Sequence, residues 1–144
     1  MSLFSSEPSK HLIKDVKIIA KEAKDSEEEI SHIIRDVDAQ LYAITEACKK
    51  YQALTPIKID IKTRLLKLEK IFENLHDGFP HVDVYKEVSQ RLRERQNELN
   101  TNMFQTSSQF LIQLNHLLPY IEQSKRDLMI EAGKFKSISS QYRQ

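Results

Sequence analysis

The residues that could do chemistry come in few combinations. Glu-x-x-His occurs twice, as Glu29 with His32 and as Glu73 with His76, and paired motifs of this kind on facing helices hold the metals of di-iron carboxylate bundles. Such a site needs every ligand to point inward. At about 100° per residue, His32 lies roughly 145° from the apolar stripe of its helix and Glu73 roughly 140° from its own, so one ligand of each pair is directed at solvent. No further inward glutamates complete the set. His76 and His81, with Asp77 and Asp83 close by in sequence, carry donor atoms that zinc accepts, but a loop of this composition is expected to be a set of solvated polar groups. Cys48 is the one cysteine, which excludes an intramolecular disulfide and is compatible with a reducing compartment. It sits on an apolar stripe with no histidine on its face to activate it, so it reads as a small buried hydrophobe. A Gly-rich phosphate loop and a strand–turn–helix nucleophile setting are both missing. The expectation is a non-enzymatic protein with no catalytic residues, metal or cofactor.

The elements that carry these residues are helices. A chain of 144 residues, 40% hydrophobic and 30% charged, has one domain's worth of length and the composition of a folded helical protein. Only two glycines and four prolines interrupt it, so helices should be long. Residues 1–8 read as a flexible tail, with Glu7, Pro8 and Ser9 suited to a helix start. From there Leu12, Val16, Ile19, Ala23, Ser26, Ile30, Ile33, Val37, Leu41, Ile44, Cys48 and Tyr51 form a heptad-like seam. Ser26 and Glu29 have capping-box spacing and would allow a break near 25. The register passes through Ser26 without a slip, so one continuous helix over about 9–53 is expected.

Pro56 forces the first boundary. A short helix over 57–76 follows, with Ile57, Ile61, Leu65, Leu68, Phe72 and Leu75 on one face. The stretch from Asp77 to His81 is a loop, in which Gly78 suits a left-handed cap and Asp83 can cap the next helix. From 82 to 142 a single stripe persists: Tyr85, Val88, Leu92, Leu99, Met103, Phe110, Leu114, Leu117, Ile121, Leu128, Ala132 and Phe135 all fall within roughly 40° of one direction. This predicts one helix of roughly 90 Å. The weak helix formers of 100–108 allow an interruption, and Pro119 allows a kink. The fold expected is all-α, a single helical domain over 9–143 forming an elongated, antiparallel, coiled-coil-like bundle of three helices, long, short and long. The alternative is a compact four-helix bundle, reached if the chain bends at 100–108 and folds back.

Function is read from what such a fold leaves uncovered. Phe104, Leu111, Leu118 and Met129 add a second apolar stripe about 100° around from the first, with Ile112 and Ile130 further round. A helix apolar on so much of its circumference requires burial on two sides. A second copy of the chain, a folded-back fourth helix or another helical protein would each supply it. The leading expectation is therefore an interaction or assembly module of adaptor, tether or chaperone type, working as a homo-oligomer or with a helical partner through Phe104, Leu111, Leu118 and Met129. The alternative is a peripheral membrane-surface protein using the basic tail, Lys125, Arg126, Lys134, Lys136 and Arg143. A net charge of +1 argues against a dedicated nucleic-acid binder. No secretory signal or transmembrane run is visible, so a cytoplasmic setting is expected, although export through other signals would leave no trace.

Overall fold

The computed structural model describes the backbone of residues 6–142 and the side chains from Lys14 onward. It is all-α, 85% helical, and five helices are present among the described residues: α1 Ser6–Lys50, α2 Lys58–Gly78, α3 Val82–Asn100, α4 Ser107–Asn115 and α5 Leu118–Gln141. The expected tail of 1–8 falls partly outside the described residues; Ser6, Glu7 and Pro8 already belong to α1. As the unbroken register implied, α1 runs through Ser26 without interruption for 45 residues.

The last helix expected from 82 to 142, with an interruption allowed at 100–108 and a kink at Pro119, is three helices. α3 stops at Asn100 because Asn102 adopts a left-handed conformation, φ 55°, which asparagine tolerates better than most residues. Asn102 N–H then donates to the Leu99 carbonyl at 3.3 Å and Met103 N–H to the Glu98 carbonyl at 3.0 Å, the paired bonds of a Schellman cap. α4 starts afresh at a reciprocal cap. Thr106 Oγ1 accepts from Gln109 N–H, and Gln109 Oε1 accepts from Thr106 N–H, at 3.2 and 3.3 Å. Between α4 and α5 the chain tightens by one turn, Leu117 N–H to the Leu114 carbonyl at 2.9 Å. Pro119 falls in the first turn of α5, where its missing N–H removes no helix bond.

Two other expectations are corrected at the α2–α3 turn. Gly78 lies inside α2 and has no positive φ; His81 takes the left-handed conformation instead, φ 71°. The first carbonyl-to-amide bonds of α3 run from His81 without a side-chain cap, so Asp83 does not perform that role.

The chain divides into two units, one made of Met1–His32 with Leu128–Gln144 and the other of Ile33–Asp127. In the first, Ala23, Ile30 and Leu128 are buried. The second holds most of the core. Val37, Ile44 and Cys48 of α1, Ile61, Leu65, Leu68, Phe72 and Leu75 of α2, Tyr85, Val88, Leu92 and Leu99 of α3, Phe110 and Leu114 of α4, and Leu117 and Ile121 are all buried.

Polar links go round the helical segments of this second unit in order. Arg64 of α2 donates to Gln40 of α1 at 3.1 Å, and Arg93 of α3 to Glu69 of α2 at 2.6 Å. Arg95 and Arg91 of α3 reach Gln113 of α4 and Tyr120 of α5, both at 3.1 Å, and Lys125 of α5 closes the ring on Asp38 of α1 at 2.8 Å. Two of these pairs are antiparallel by the order of their contacts: Glu73 and Glu69 of α2 meet Arg93 and Gln96 of α3, and Arg95 and Arg91 of α3 meet Gln113 of α4 and Tyr120 of α5. The bend at 101–106 thus turns α4 and the start of α5 back along α3, and the chain buries its own Phe110, Leu114, Leu117 and Ile121.

At one end of this unit two connecting segments meet. Ser107 N–H donates to the Gln52 carbonyl at 2.9 Å, Ala53 and Thr106 form an isolated antiparallel bridge, and Lys58 Nζ donates to Asn102 Oδ1 at 2.7 Å.

Candidate interaction surface

The residues expected to meet a partner are placed by α4 and its flanks. Phe110 and Leu114 are the inward side chains of this nine-residue helix, so its outward side falls to Leu111, half-buried, and Ile112, 57% exposed. Phe104 is half-buried and packs edge-on against Phe110, ring centres 5.6 Å apart. Met103, read from periodicity as an inward residue, is 66% exposed because the helix ends before it. Leu118 is half-buried at the start of α5. Along α4 and its flanks the apolar side chains that the fold leaves most open are therefore Met103 and Ile112, with Leu111, Phe104 and Leu118 near them in sequence. Met129 belongs to the other unit and is 61% exposed there, next to Ile130 at 55%. In that same unit Ile18 and Ile19 of α1 stay 47% and 45% exposed.

The basic tail is partly committed to the protein itself. Lys125 is bonded to Asp38 and to Glu122 at 3.2 Å, and the hydrogen bond it donates to Asp38 holds its ammonium above the ordinary lysine range. Arg126 donates to Gln123 at 2.7 Å and Lys134 to the buried Glu131 at 3.0 Å. Lys136 is exposed. Arg143 lies outside the described residues.

The chemically suggestive residues are dispersed. Glu29 and His32 are both exposed on α1. Glu73 accepts from Arg93 at 2.8 Å, and His76 Nδ1 donates to the Glu73 carbonyl at 2.7 Å. His81 stands 3.9 Å from the buried Asp127 of α5, whose other oxygen accepts from Gln123 at 3.0 Å. Among the described residues no three histidine, cysteine, aspartate or glutamate side chains come together to hold a metal ion. Cys48 is buried, and burial pushes its thiol up to about 11.

The most organised polar feature lies on the α2–α3 pair. Glu69, on the inner side of α2, is almost fully buried. Arg93 Nε donates to one of its oxygens and Gln96 Nε2 to the other, both at 2.6 Å. These bonds compensate the carboxylate for lost hydration, and the hydrogen bond to Glu69 in turn raises the Arg93 guanidinium above its usual range. Sequence periodicity gives no sign of this network, since Glu69 falls beside Leu68 where a charged residue normally marks the solvent edge. Alongside it a cleft of about 450 Å³ is lined by Glu73, His76, Arg93 and Asn97 among others. Its charges are mixed, and Arg93 with Glu73 and His76 with Asp77 lie within pairing distance, which favours a structural network over a ligand site.

No helix among the described residues is long and apolar enough to cross a membrane. Compared with protein-family models, curated proteins and solved structures, the chain finds no match.

Proposed function

We propose that this protein is a non-enzymatic interaction module, a helical bundle that docks a helical partner on the outward apolar side of α4 and the segment before it. One observation carries the reading. Met103 and Ile112 stand 66% and 57% exposed beside the half-buried Phe104, Leu111 and Leu118, although the same stretch supplies the buried Phe110 and Leu114. Large aliphatic side chains kept in water lose about 25 cal/mol per Å² that a partner would recover, and the short capped helix α4 holds Leu111 and Ile112 at helical spacing for such a partner.

The test is comparative capture. The full chain and the variant Met103→Asp/Ile112→Asp are immobilised and exposed to the same extract of the source cells, and retained proteins are quantified. Both substituted side chains are exposed, so helicity by circular dichroism should be unchanged. Proteins retained by the native chain and lost at least tenfold from the variant support the reading; identical retained sets overturn it.

A further inference from the structure

The outer side of α2 carries a second, differently built face. Ile59 is 82% exposed and Leu66 is 43% exposed; Lys62 stands one turn from each, Lys70 one turn beyond Leu66, and Lys67 beside them. At about 100° per residue Ile59, Lys62, Leu66 and Lys70 fall within an arc of about 80°. Among the described residues none of these three lysines has an ion pair or hydrogen bond. The face is thus apolar along its middle and cationic at its edges, and its complement is a helix with an aliphatic centre and acidic edges.

Such a helix face exists in this same sequence. On α1, Asp15, Ile18, Glu22, Asp25 and Glu29 follow one another at alternating steps of three and four, also within about 80° of arc, and all five are exposed. None of the four acids is paired with another described residue. Ile59, Leu66, Lys67 and Lys70 of the α2 row are exposed and Lys62 is half-buried, so each row presents its apolar centre to solvent.

We infer that the occupant of the α2 face is a second copy of this chain, which lays the Ile18 row of its α1 across Ile59 and Leu66. The inference rests on the interaction-module reading and names a partner for a surface other than α4. Charge and spacing select Lys62 and Glu22 as one contact. Glu22 faces Lys62 whether Ile18 meets Ile59 with the helices parallel or Leu66 with them antiparallel, and Lys70 then faces Glu29 or Asp15. A single helix-on-helix contact of this length is smaller than a standard interface, so the association is weak, and its exposed charges make it salt-sensitive over a Debye length of about 10 Å at 0.1 M.

Sedimentation velocity on the full chain, from about 10 to 500 μM in low salt, reads it. Native protein is expected to self-associate with rising concentration and to revert to monomer at about 1 M salt. Lys62→Glu/Lys70→Glu and Glu22→Lys/Glu29→Lys are each expected to weaken association at least tenfold alone, yet to associate when mixed, because each then offers the face the other lacks. That recovery also shows that both variants are folded. A native chain that stays monomeric throughout, or variants that self-associate like the native chain, or a mixture that does not recover, overturns the proposal. So does the finding that the α2 lysines govern binding to vesicles of mixed phosphatidylserine and phosphatidylcholine while the protein alone remains a monomer. None of these outcomes bears on capture through Met103 and Ile112, so the two readings fail separately.

Discussion

Ile19 and Ile44 sit on the same stripe of the same uninterrupted helix, and the structure treats them oppositely. Ile44 is fully buried in the unit formed by Ile33–Asp127, while Ile19, in the unit formed by the two ends of the chain, is 45% exposed. Around Ile44 the stripe is buried at Val37 and Cys48 and half-buried at Leu41; around Ile19 it is half-buried at Val16 and becomes buried at Ala23. Periodicity therefore records which side of a helix is built for burial. Whether a partner surface arrives there depends on the rest of the chain.

The contrast can be broken by experiment. Ile44→Ala should destabilise the protein by about 3 kcal/mol, because a fully enclosed site loses the aliphatic contacts and retains a cavity; urea unfolding followed by circular dichroism measures it, and a loss under about 1 kcal/mol would mean the site collapses freely. Thr106→Ala removes one half of the reciprocal cap that starts α4 and should cost about 1 kcal/mol. The same titration checks that value, and no change would show that the bond from Ser107 to Gln52 holds the helix start unaided. Ile19→Ala should shift stability by no more than about 0.5 kcal/mol, since the side chain is already half in water. A loss matching that of Ile44→Ala would erase the difference between the two regions.

These differences mark what the sequence could disclose. The buried faces were legible: every residue assigned to the inner side of α2, from Ile57 to Leu75, is buried. Continuity of α1 through Ser26 was legible from an unslipped register. The break after Asn100 was allowed by the weak helix formers of 100–108 but not required by the pattern, for a definite reason. Leu99 and Phe110 are separated by eleven residues, close to three helical turns, so the apolar stripe resumes in phase on the far side of a six-residue interruption. The local signal was Thr106 with Gln109, the spacing of a capping box, and Asn102 ahead of it as a residue that accepts a left-handed conformation. His81 in place of Gly78 at the α2–α3 turn had no such signal. Of the expected partner residues, Phe104, Leu111 and Leu118 proved half-buried and Met129 exposed in the other unit. A wheel drawn on one long helix cannot separate these, because it contains no record of where the chain turns back.

The meeting of Gln52 with Ser107 has a consequence for the order of folding. α2 and α3 are joined by a three-residue turn and can pair early, since the loop to be closed is short. The amide of Ser107 finds its acceptor across 55 positions of chain, and that closure becomes entropically light only after the intervening hairpin has drawn its ends together. The bond therefore behaves as a latch fastened late, and the exchange of this one amide proton with solvent reports when the two connecting segments have come to rest against each other.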